Sequence, residues 1–110
     1  MSAGDVNRQM ARPSISPSAL ADLDEIHSYT AEDDLGVADA FVDRILGKFQ
    51  LLADNPKAGR VWSDFPSQMR IFPFRNYLIF YFEADSGVNI IRVIHGARDT
   101  GPIFETDYEN

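Results

Sequence analysis

Apolar residues recur at helical spacing twice in the first half of the chain, and three extended apolar runs crowd its second half. In the stretch "SPSALADLDEIHSYTAED" (16–33), Ala19, Leu23, Ile26 and Thr30 return every three or four residues, flanked by Leu20 and Tyr29, which predicts one buried helical face. Ser16 is placed to cap this helix, with Pro17 at its first position and acids near its positive end. After a polar break, "EDDLG" (32–36), Val37, Phe41, Ile45, Phe49 and Leu52 repeat in the same way, widened by Val42 and Leu46, until Asn55 and Pro56 stop the pattern. Two amphipathic helices joined by so short a break predict an antiparallel hairpin with an acidic outer face toward water.

The second half reads as sheet. "MRIFPF" (69–74), "YLIFYFE" (77–83) and "NIIRVIH" (89–95) are joined by "RN" and "ADSG", links of the kind hairpins use, which predicts a three-strand antiparallel meander. Pro73 fits an edge or a bulge, and "RPSIS" (12–16) is long enough only for an edge strand. The run "YLIFYF" is almost continuously apolar, as a central strand covered on both faces would be: by the hairpin on one side and, on the other, by a partner chain. Tyr77, Phe80 and Tyr81 are therefore expected in the core. Between helices and sheet, "PKAGRVWSDFPSQ" (56–68) is longer than most connections in a small domain, a feature often tied to function.

Length and charge narrow the picture. A chain of 110 residues with 45% hydrophobic content supports one core, expected over residues 12–104, with a flexible tail at 1–11 and an acidic one at 105–110. Met10 is an alternative natural start to Met1. Neither a membrane-length apolar run nor a signal peptide stands out, so a cytoplasmic protein is expected. The lack of cysteine excludes disulfides and thiolate ligands, and two separated histidines, His27 and His95, make no metal cluster; no cofactor is expected. The net charge of −7 argues against direct nucleic-acid binding, because phosphate affinity needs a positive surface. That average hides a split: residues 1–54 carry −6, 55–98 carry +3 and 99–110 carry −4.

The segments "SPSALADLDEIHSYTAED", "FVDRILGKFQLLADNPKAGR", "MRIFPFRNYLIFYF" and "IIRVIHGARD" resemble, in that order, the ParE branch of the RelE/ParE toxin superfamily, over roughly residues 12–100. The resemblance implies an α+β fold, with an N-terminal helical hairpin packed on a small curved antiparallel sheet. It also implies a toxin neutralised by a cognate ParD-like or other antitoxin and inhibiting DNA gyrase, whereas the RelE branch cuts messenger RNA on the ribosome. Fold alone does not choose between these activities.

In the RNA-cutting reading, Arg75 and His95 match positions where histidine-using relatives carry comparable groups, able to stabilise a pentacovalent phosphate and move the 2′-hydroxyl proton. Against it, the tail after His95 offers Asp99, Glu105, Asp107 and Glu109 where those relatives have tyrosine or basic groups, and the long loop holds only Lys57 and Arg60 as bases. The expected site is therefore a protein-binding one with no catalytic residue: Arg60, Trp62, Arg70, Phe72, Arg75, Arg92, His95 and Arg98, contacting antitoxin or target. Several have a plainer alternative. His95 can simply end a strand before Gly96, Arg92 can pair with an acid on a neighbouring strand, Arg98 can pair with Asp99, and Trp62, Phe65 and Phe72 can close the core edge. A toxin that has lost its activity and only binds its antitoxin is a further alternative.

Overall fold

The computed structural model describes residues 11–63 and 68–96, so the expectations for the two tails, Phe65 and Arg98 lie outside the described residues. The elements are β1 (Arg12–Ile15), α1 (Pro17–Ala31), α2 (Leu35–Asp54), β2 (Arg60–Ser63), β3 (Met69–Phe74), β4 (Tyr77–Ala84) and β5 (Gly87–His95). The two helices pack on a sheet of order β1-β5-β4-β3-β2, an α+β arrangement.

The meander β3-β4-β5 is as the sequence suggests, with two-residue links closing at Phe74↔Tyr77 and Ala84↔Gly87. The sheet is nevertheless mixed. β1 runs parallel to β5, from Arg12↔Gly87 to Ile15↔Ile90, because the chain lays down this edge strand before the helical hairpin crosses the sheet. β2 forms the other edge, within the stretch expected to be loop; Arg60, Val61 and Ser63 pair with β3 across a register shift at Trp62, and the four residues carry too little alternation to read as a strand.

Local chemistry sets the helix ends. Ser16 Oγ accepts from Ala19 N at 3.0 Å and donates to Ile91 O at 2.8 Å, while its backbone N–H reaches Ile90 O at 2.9 Å. One residue thus caps α1 and ties it to β5. No acid lies in the first turn of α1: Asp22 and Asp24 sit too far along for the dipole contribution anticipated there. Asp34 caps α2 by accepting from Val37 N at 3.0 Å, and His27 Nε2 donates to Asp39 Oδ1 at 2.7 Å between the two helices.

The main core joins Leu23, Ile26, Ile45, Phe49 and Leu52 of the helices to Ile79, Tyr81, Val88, Ile90 and Val93 of the sheet. Burying each such side chain contributes about 1.5–3 kcal/mol before entropy is counted. Ile71, Phe80 and Ile94 form a second cluster with Trp62, Met69, Leu78 and Ile91. β4 thus carries apolar contacts in both clusters, and Tyr77, Phe80 and Tyr81 are all buried. A bulge in β5 opposite Phe80/Tyr81 keeps Ile90 and Val93, three residues apart, in the same cluster. Not all of the helical stripes go inside: the flanking Leu20, Tyr29 and Leu46 stand exposed, and so does Val37 of the second stripe itself, in the first turn of α2.

The turn after α2 is held from beneath by Tyr81. Its hydroxyl donates to Pro56 O at 2.7 Å and accepts from Gly59 N at 2.8 Å, and a Cβ on Gly59 would lie 2.7 Å from Ile71 O. Tyr81→Phe leaves the Gly59 N–H without its acceptor, and a loss of about 1–3 kcal/mol in urea unfolding is expected. Burial pushes the Tyr81 phenol above its ordinary 10.0, outweighing the lowering by the Gly59 bond and Arg70. The stability linked to this phenol is complete below pH 10 and is lost as pH rises through the raised folded-state value. Wild type should therefore lose stability in that alkaline window more steeply than Tyr81→Phe does.

Candidate functional site

Among the described residues, those expected in one basic docking surface occupy different places and have different partners. Arg92 on β5 forks onto Asp22 of α1, with Nε to Oδ2 at 2.7 Å and Nη2 to Oδ1 at 3.0 Å. The acid that meets it comes from a helix, not from a neighbouring strand. Asp22 Oδ2 also accepts from Val93 N at 2.9 Å, so this nearly buried carboxylate fastens α1 to β5. Arg70 on β3 points inward, its side chain only 12% exposed. Its Nη1 donates to Gly59 O at 2.6 Å and its buried Nε, without a hydrogen bond, lies 3.5 Å from Glu83 Oε2, a carboxylate that also meets Lys57 Nζ at 3.1 Å.

The aromatics divide in the same way. Trp62 packs edge-on to Phe80 at 5.4 Å in the second cluster, whereas Phe72 packs against the main core. Arg60 is exposed on the edge strand β2, three strand intervals or about 14 Å from β5. Together these positions spread over both clusters and both ends of the sheet.

Arg75 and His95 do come near each other. His95, paired with Tyr77 across β4 and β5, sets its ring edge-on to Tyr77 at 5.2 Å. It lines a cleft of about 390 Å³ with Tyr29, Val37, Phe41 and Asn76. Arg75, in the β3–β4 turn at φ 58°, lines an adjoining cleft of about 450 Å³ with Arg44, and the two clefts share Val37, Phe41, Asn76 and Tyr77. Gly96 N donates to Asn76 O at 2.7 Å, which fixes the exit of β5 beside that turn.

Three cations surround this end of the molecule. Lys48 Nζ lies 5.5 Å and Arg75 Cζ 5.6 Å from the centroid of the Phe74 ring, and Phe74 stacks on Phe41 at 5.9 Å. Arg44 joins them from α2. Arg44 and Lys48 were not expected in a site, because they sit among the acids of the N-terminal half. The spacing Val37, Phe41, Arg44, Lys48 on one helix face was the available signal. Among the described residues no group of three or more His, Asp or Glu could hold a metal ion, and no helix is long and apolar enough to cross a membrane.

Comparison with known proteins agrees with this architecture. One solved structure, described as the chromosomal ParDE TA system from P. aeruginosa, contains a chain that matches with a TM-score of 0.64, covering 79% of this chain and 97% of that one. The identity is 23%, so that likeness establishes the fold. No curated protein matches the chain. The model of a family described as the ParE toxin of the type II toxin–antitoxin system, parDE, matches residues 14–100, from within β1 to beyond the last residue of β5. A match that runs through both helices and all five strands places the chain in that family: it belongs to the ParE toxins, the toxin components of type II toxin–antitoxin systems.

Proposed function

We propose that the chain acts in the bacterial cytoplasm as a toxin that inhibits DNA gyrase by binding it, and that a cognate antitoxin holds it inactive. The observation that carries this reading is the family match over residues 14–100. The surroundings of Arg75 and His95 support a binding role over a catalytic one. The His95 ring packs on Tyr77, and the adjoining clefts are walled largely by Val37, Phe41 and Tyr77.

Controlled expression of this chain alone in a bacterial host tests the reading, with growth, a DNA-damage reporter and the rate of protein synthesis followed together. Filamentous arrest with the reporter on and translation initially intact is expected, and His95→Ala should remain toxic. Collapse of translation before any damage signal, abolished by His95→Ala, would replace gyrase inhibition with messenger-RNA cleavage. No arrest at all would identify a chain that only binds its antitoxin. Co-expression with the neighbouring antitoxin gene should restore growth and recover the two proteins together; recovery of the toxin unbound would refute the pairing.

A further inference from the structure

Arg44, Lys48 and Arg75 form a cationic rim on a chain whose net charge is −7. None of the three makes an ion pair among the described residues, and neither does the neighbouring carboxylate Asp43. Arg44 and Lys48, four residues apart on α2, repel each other on one helix face. Clustering them with a third cation is unfavourable in the free protein and becomes favourable when an anionic partner arrives. Arg75 adds a second sign of function. It occupies a left-handed turn position, φ 58°, where glycine or asparagine would sit without strain.

The ground between the cations is apolar. Val37, Phe41 and Tyr77 wall a cleft of about 450 Å³, within the range of pockets that hold one small ligand or anchor group. Exposed Tyr29 and Val37 extend that surface into the neighbouring cleft. We propose that this cleft docks an acidic segment of a partner protein, taking one apolar anchor side chain against the wall of Val37, Phe41 and Tyr77 and the flanking carboxylates on Arg44, Lys48 and Arg75. Charge complementarity selects the sign of the partner, and the apolar walls select a peptide over a nucleic acid. Phe41 and Phe74 stack on each other, and both Lys48 and Arg75 lie against Phe74, so these rings are engaged within the protein.

The site rests on the proposed function only in that the antitoxin is the partner expected to supply the segment. Its test needs neither toxicity nor the antitoxin. A fluorescein-labelled twelve-residue peptide of glutamates with a central Leu-Phe pair is titrated with the full chain and followed by anisotropy. Saturable binding is expected, weakening at least tenfold between low and moderate salt. Arg75→Gly combined with Arg44→Glu should weaken it at least tenfold more. Gly relaxes the turn and residue 44 is exposed, so unchanged circular dichroism should accompany the loss; if the double variant misfolds, Arg75→Gly alone should still weaken binding several-fold. Undiminished binding by a folded variant would overturn the site, as would equal binding of a peptide with lysine in place of every glutamate. Tighter binding of a twelve-nucleotide oligouridine that displaces the peptide would overturn it in favour of nucleic acid. Binding as expected by a chain that proves non-toxic would leave the site standing and remove the gyrase reading instead.

Discussion

Asp22→Ala is expected to lower the unfolding free energy by about 3 kcal/mol, read as a fall in the urea midpoint at unchanged slope. Asp22 is 9% exposed, and its carboxylate accepts three hydrogen bonds, two from Arg92 and one from the backbone of Val93. Alanine leaves the buried Val93 N–H without an acceptor and releases α1 from β5. The cost stays at the lower end for a broken buried pair because the Arg92 side chain, 46% exposed, can turn to water. Asp22→Asn keeps an oxygen for Val93 N–H, and should lose roughly half as much. A loss below about 1 kcal/mol for the alanine variant would mean that solvent screens the pair as it does on an open surface.

Gly87→Ala is expected to be comparably severe, at about 2–4 kcal/mol, but to act on one edge of the sheet. Gly87 starts β5 at φ 149°, a conformation L side chains rarely adopt, and a Cβ there would collide with the backbone oxygen of Arg12. The atom it meets is backbone, so no rotamer change relieves the clash. The substitution should push β1 off β5 and weaken the Arg12 N to Ser86 O bond of 2.8 Å. Hydrogen exchange separates this from general destabilisation: β1 amides should lose protection first, while those pairing β4 with β5 keep theirs. Uniform loss across the sheet would show that β1 and the meander unfold as one unit.

The two variants report on contacts of different visibility. Gly87 lies in the "ADSG" link, so a hairpin there was readable, but nothing local announces that a parallel strand passes where its Cβ would stand. Asp22 reads as one more acid on a solvated helix face, and its partner lies 70 positions away. The uses of the strand arginines were hidden for the same reason. Position along a strand does not say that Arg70 turns inward to Gly59 O or that Arg92 is claimed by a helix carboxylate.

What the sequence by itself determined is the local layer: the two helices and their Ser16 cap, the three-strand meander with its short links, the buried aromatic run of β4, and the family resemblance that followed from their order. Those features rest on periodicity and on turn and cap chemistry, which act over a few residues. Only the tertiary structure decided the parallel β1–β5 pairing, the β5 bulge that keeps Ile90 and Val93 together, the Asp22–Arg92 clasp and the gathering of Arg44, Lys48 and Arg75 around one aromatic pair. These depend on which surfaces meet once the chain has closed on itself, and a charged side chain's choice of partner across such a meeting leaves no periodic trace in the sequence.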